Sequence, residues 1–162
     1  MERKQSFSPT LLERLLDDEP KKKRESYDAC YVSAKELRAI VQKDIACLLN
    51  STNLEEQLDE ARHGALMVSV FNYGVAPLTG KYASHHSWHI IEKNIRNALL
   101  RFEPRIIPET LLVRPVTERA PGQNGQVLFE IGGLINWQPQ PVDLSLKGTY
   151  DAETAEVALK SF

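Results

Sequence analysis

The hydrophobic spacing of this chain changes period at one place, and that change restricts the fold more than any other feature. Before Glu103-Pro104 the apolar residues recur every three to four positions; after it they alternate. The first period lays a stripe along a helix, and the second lays a face along a strand. Proline disfavours helical geometry in the residue before it, so the switch marks a helix end. Helices first and strands afterwards predict an α+β domain. Its helices should pack on one face of a three- to four-stranded, mainly antiparallel sheet.

The individual elements follow from the same reasoning. Ser33 and Glu36 form a capping box. Leu37, Ile40, Val41, Ile45, Leu48 and Leu49 then carry a long helix, which Asn50-Ser51-Thr52-Asn53 stops. Cys47 is placed on its apolar side as a small core residue. Leu54, Leu58 and Ala61 mark a short helix. Ala65 to Phe71 is apolar, and at that length helix and strand both stay open. Asn72-Tyr73-Gly74 and Ala76-Pro77 are turn signals. A second long helix begins at Ser84 or Ser87 and bears Trp88, Ile91, Ile95, Ala98, Leu99 and Phe102 as one stripe. Leu111 to Val116 reads as a strand, and Ala120 to Gly125 as a loop. Val127, Phe129 and Ile131 alternate as a second strand. Gly132-Gly133 signals a bulge or a close backbone approach. Asp143 to Tyr150 is a third strand. Asp151-Ala152-Glu153-Thr154 then turns into Glu156 to Leu159, a last strand or, on its Ala, Glu and Leu content, a terminal helix.

The front of the chain differs from the rest. Residues 1–30 read as a docking arm with a charged linker, and residues 31–162 as the domain. Leu11, Leu12, Leu15 and Leu16 lie at helical spacing in a helix too short to be stable alone. They need a partner surface, on this domain or on another chain. From Asp17 to Glu25 four acids and four bases cancel, which makes a solvated tether. Lys21 to Arg24 could touch nucleic acid, but the cancelling charges favour the tether. Over the whole chain 20 Lys and Arg face 22 Asp and Glu. No basic field is available for a polyanion, and residues 103–162 are acidic, with eight acids against five bases. The expectation is no nucleic-acid partner. The polar start lacks the apolar core of an export signal, and no window reaches the ~18–20 apolar residues of a membrane span. These point to a cytoplasmic protein without direct membrane insertion, with Cys30 and Cys47 as free thiols.

Three groups of residues could carry chemistry. His85, His89 and Glu92 share a helix face at i, i+4 and i+7, a spacing that could hold Zn²⁺ for a metal-dependent hydrolase. The Glu expected after the first His of a zinc protease is replaced by His86, and His85 sits where the helix only begins, so a solvated cluster is the favoured reading. Glu103 and Glu109 could be a carboxylate pair for a peptidoglycan hydrolase, but nothing in the sequence supplies a sugar cleft. Glu103-Pro104-Arg105 says more: proline fixes the backbone between an acceptor and a bidentate donor. Such a pair can lock the junction internally or present a rigid charged corner to another chain.

Ser8-Pro9-Thr10-Leu11-Leu12-Glu13-Arg14-Leu15-Leu16-Asp17-Asp18-Glu19-Pro20 resembles the N-terminal signature of the TssE family, baseplate subunits of type VI secretion machines. Ser69-Val70-Phe71-Asn72-Tyr73-Gly74 is similar to that family's Ser-Val-Leu-Asn-Tyr-Gly segment. Asn94-Ile95-Arg96 through Phe102-Glu103-Pro104-Arg105-Ile106 resembles its helix end and Glu-Pro-Arg tripeptide, and Asp151-Ala152-Glu153-Thr154 its final hairpin. The chain departs at Phe71, at Val75-Ala76-Pro77-Leu78 and at Ala155, which replaces a hairpin glycine. The resemblance extends to the sheath initiator of contractile phage tails, a superfamily that carries a lysozyme-like label. It implies a structural adaptor, not an enzyme, with no catalytic residue, metal or cofactor. Implied partners are the wedge proteins TssF and TssG, with TssK as a further candidate, and the sheath proteins TssB and TssC. Implied contact residues are Glu103, Pro104 and Arg105, with Leu11, Leu12, Leu15 and Leu16 as the docking face of the arm. A sheet edge within residues 126–159 would take extended arms of sheath subunits by strand addition. On this reading Arg105→Ala leaves the fold intact and blocks sheath assembly.

Overall fold

The computed structural model describes residues 11–16, 20–24, 32–76, 88–116, 126–137, 140–151, 154 and 156–161. The chain forms two compact units, Met1–Val41 and Gln42–Phe162. In the first, α1 spans Leu11–Leu15, and its Leu11, Leu12 and Leu15, with Leu16 just after it, are all exposed. Helix α2 spans Ala34–Leu49 and runs from the first unit into the second. The capping box is present. The Ser33 N–H donates to Glu36 Oε2 at 2.6 Å, and the Glu36 N–H donates to Ser33 Oγ at 3.3 Å. These bonds satisfy two amides that every helix start leaves without an intrahelical acceptor. The backbone bond from Ser33 is the main reason the Glu36 carboxyl sits below its ordinary value.

In the second unit α3 spans Glu60–Met67 and α4 spans Trp88–Phe102. The apolar stretch 65–71 is therefore helical, first as the end of α3 and then as a 3-10 turn at Val70–Asn72. Four strands follow: β1 Leu112–Pro115, β2 Gln126–Ile135, β3 Val142–Asp151 and β4 Val157–Ser161. They make an antiparallel meander in the order β1-β2-β3-β4. The chain's last segment is thus a strand, not a helix. Among the described residues no helix is long and apolar enough to cross a membrane.

One face of the sheet is buried. Along β3, Val142, Leu144, Leu146 and Tyr150 are buried while Asp143, Ser145 and Lys147 are exposed. Cross-strand pairing sets Phe129 and Ile131 of β2 opposite Gly148 and Leu146. The Phe129 ring lies directly over Gly148, where a Cβ would stand 2.2 Å from a ring atom. Ile91, Ile95, Ala98 and Leu99 of α4 are buried, and the Trp88 ring lies 6.4 Å from that of Phe129. Trp88 itself is only half-buried, at the start of the stripe.

One local expectation changes, and one pair of alternatives resolves. Cys47 is exposed and free, because the buried line of α2 runs through Ile45, Leu48 and Leu49 and leaves position 47 on the opposite flank. Gly132-Gly133 makes no bulge; both residues keep regular register with Ser145 and Leu144. The close backbone approach is the alternative present: Gly133 lies against the Leu111 backbone, whose Cα would be 3.6 Å from an added Cβ. Ala155 lies outside the described residues, although the Asp151 carboxylate accepts from the Thr154 N–H within the last turn.

Candidate partner-binding surfaces

The corner after α4 is an ion triad. Glu103 follows the last helical residue, and its N–H still donates to Leu99 O. Its side chain is only 4% exposed, and both carboxylate oxygens accept from Arg105: Oε1 from Nε and Oε2 from Nη2, each at 2.5 Å. The Arg105 Nη2 also donates to Asp44 Oδ2 of α2 at 2.5 Å. The bond to Glu103 is the first cause that keeps the guanidinium protonated beyond its ordinary range, with burial opposing it and Asp44 adding to it. Pro104 projects from the corner and is exposed, while Arg105 and Asp44 are partly exposed. The corner is therefore locked internally, and what faces outward is a proline flanked by one guanidinium edge and one carboxylate. Sequence reasoning found the Glu103–Arg105 pair from its spacing. It missed Asp44, which lies 61 positions away and shows no local signal.

The same geometry bears on the chemical candidates. Glu103 turns both oxygens to Arg105, so it offers no free face to a sugar. Glu109 is exposed in a 3-10 turn at Pro108–Thr110. His85 lies outside the described residues. His89 is 93% exposed and sits 3.6 Å from Glu92. Among the described residues no group of three or more His, Cys, Asp or Glu side chains could hold a metal.

A second surface is an apolar knob. Val68, Val70 and Phe71 are exposed, the last two by 80%. They stand on a rigid base. Asn72 is buried; its Oδ1 accepts from the Leu54 N–H at 2.9 Å and its Nδ2 donates to Met67 O at 3.0 Å. Arg101 of α4 donates to the same Met67 carbonyl, and Tyr73 meets Phe102 edge to face at 5.3 Å. Gly74 has φ +123°, and an added Cβ would lie 2.2 Å from Ser51 O. That close approach lets the Val75 N–H donate to Ser51 O and the Asn53 N–H donate to Val75 O. The Asn72-Tyr73-Gly74 signal announced the turn. The exposure of Val70 and Phe71 was missed, since a short apolar run reads as core by default.

The third surface is the sheet margin. The Asp151 N–H donates to Glu156 O, so residues 151 and 156 are a hydrogen-bonded pair. Antiparallel pairs alternate, and the main-chain groups of Val157, Leu159 and Ser161 therefore point outward, away from β3. That edge is not bare. The Val157 N–H donates to Asn50 Oδ1 at 2.8 Å, and Asn50 Nδ2 donates back to Val157 O at 2.9 Å. Gln42 Nε2 donates to Leu159 O at 3.1 Å. Of the edge expected to be open, the first part is covered by α2. At the opposite margin, Pro115 ends β1 with no N–H to offer, and Arg96 of α4 donates to Leu111 O just before the strand.

Compared with known proteins, residues 35–140 match the family model described as baseplate wedge protein gp25. The match runs from the first turn of α2 to the loop before β3. No curated protein and no solved structure matches the chain.

Proposed function

The chain belongs to the baseplate wedge protein gp25 family, and from that membership we propose that it is the sheath-initiating subunit of a type VI secretion baseplate. Its family role is structural, in the wedge of a contractile-tail baseplate and in contact with other baseplate proteins. The single observation that carries the finer reading is the family match, joined to the ordered TssE-like segments, two of which, at 8–20 and 151–154, extend beyond the matched residues. The protein acts in the cytoplasm as an adaptor rather than an enzyme. TssF and TssG, with TssK as a further candidate, are its wedge partners, and TssB and TssC its sheath partners.

The three surfaces suit that work in different ways. The Glu103-Pro104-Arg105 corner presents a fixed shape to the wedge, because Arg105 is held from two sides and cannot search rotamers. The four exposed leucines at 11, 12, 15 and 16 dock as a short helix face on a neighbouring protein, with residues 21–27 as tether. The sheet margin takes extended sheath arms by strand addition, where main-chain bonds give affinity and alternate side chains give register. The domain at 31–162 is the unit so presented, and 1–30 its arm.

The test is capture of TssF–TssG and of TssB–TssC by the full chain and by a chain starting at Ser26. The expected result is that both capture the sheath pair, while the shortened chain loses wedge capture. A full chain that captures neither pair refutes the assignment. Cleared cell-wall substrate, lost in Glu103→Gln, would install a hydrolase in its place.

A further inference from the structure

Two edges end the meander, and they differ in what meets them. At β1 the Leu111 carbonyl is held by the Arg96 guanidinium at 2.6 Å and Pro115 has no donor, while the Val113 N–H and C=O between them face outward. Pro115 breaks the run of donors that an added strand would need. At β4 the closure consists of two carboxamides. Asn50 meets Val157 with one donor and one acceptor, the same pair of bonds that a residue of a fifth strand would make. Gln42 of α2, eight residues before Asn50, meets Leu159 O. Among the described residues, the Leu159 N–H and the main chain of Ser161 are the outward groups that α2 does not take.

We propose that Asn50 and Gln42 are a reversible edge latch on β4, which an extended segment of another chain enters at the Ser161 end and displaces toward Val157. This rests on the strand-addition reading given above and selects the edge, the point of entry and the order of exchange. Each step replaces an amide–main-chain bond by a main-chain bond of the same kind, so the exchange is close to balanced. The entry point exists because the Leu159 N–H and the Ser161 groups accept a first partner before any latch bond breaks. The occupant is a strand rather than a helix or a small ligand. What the latch covers is a line of alternating main-chain donors and acceptors, and only another backbone presents their complement at that spacing. A bare edge would also invite pairing between copies of this chain, which the carboxamides suppress.

The experiment compares the full-length wild type with Asn50→Ala/Gln42→Ala, and with Gln42→Ala alone because Asn50 also bonds Ala46 O at the end of α2. Amide hydrogen exchange at Val157 reads the latch directly, and capture of the TssB–TssC pair reads strand addition. The expected result is faster exchange at Val157 in the double variant and capture tightened by roughly tenfold, with a smaller tightening in Gln42→Ala. Equal capture by wild type and variants overturns the latch and leaves strand addition standing. No capture by any of the three proteins overturns both. Self-association of the double variant without gain in capture assigns the edge to a second copy instead, and also overturns the proposal.

Discussion

Arg105→Ala tests the corner most sharply, and the structure changes what that variant should do. Removing the guanidinium leaves Glu103, 4% exposed, with only the backbone N–H of residue 105 on Oε1 and nothing on Oε2, and leaves Asp44, a third exposed, to water. Stripping one member from a buried ion pair costs about 3–5 kcal/mol. Arg105 is a quarter exposed, so water reaches the vacated space and the lower end, about 3 kcal/mol, applies. A chain of this size loses roughly 2–4 °C in Tm per kcal/mol, so the melt should fall by about 6–12 °C. A starting stability in the usual range of roughly 5–15 kcal/mol keeps the variant folded, as expected, but with a much narrower margin. A lost sheath assembly in that variant would not by itself prove an interface. Urea denaturation of Arg105→Ala, Glu103→Gln and the double variant separates the effects. Once Glu103 carries no charge, losing Arg105 should cost about 1 kcal/mol, which gives a coupling near 2 kcal/mol in the cycle. A loss under about 0.5 kcal/mol for Arg105→Ala, with no coupling, would equal an exposed pair and refute the internal lock. Pro104→Ala, at the exposed tip, is the cleaner probe of wedge contact.

Three further outcomes follow from the geometry. Gly74→Ala combines a φ of +123° with a Cβ placed 2.2 Å from Ser51 O, and should cost at least about 2 kcal/mol in a thermal melt; a shift within 0.5 kcal/mol would mean the Ser51–Val75 approach can open freely. Phe71→Asp, at an 80% exposed position, should leave stability within about 0.5 kcal/mol and abolish capture by whichever baseplate partner covers the knob, so capture unchanged with every partner would make the knob idle. The Glu36 carboxyl has a folded value below its ordinary 4.5, so its cap supports α2 above that pH and is lost as pH falls through the lower folded value; amide shifts of Ser33 in an NMR titration should report it, and no Ser33 response would refute the cap.

The local order of this fold was legible without coordinates. The stripe through Ile45, Leu48 and Leu49, the stripe through Ile91, Ile95 and Leu99, the capping box and the alternation along β3 depend on residues within a turn or two of each other. Their periods follow from backbone geometry alone. The change of period at Glu103-Pro104 accordingly marked both the end of α4 and the start of the sheet region. What only the tertiary structure decided is which polar side chains meet across long separations. Asp44 joins Arg105 over 61 positions, Asn50 reaches Val157 over 107, and Gln42 reaches Leu159 over 117. In sequence these three look like ordinary helix-surface residues or a helix stop, because a hydrogen-bonding group carries no mark of its future partner. The sheet edge supplied that partner, since main-chain groups turned outward at a strand margin must be satisfied by whatever element the fold brings beside them.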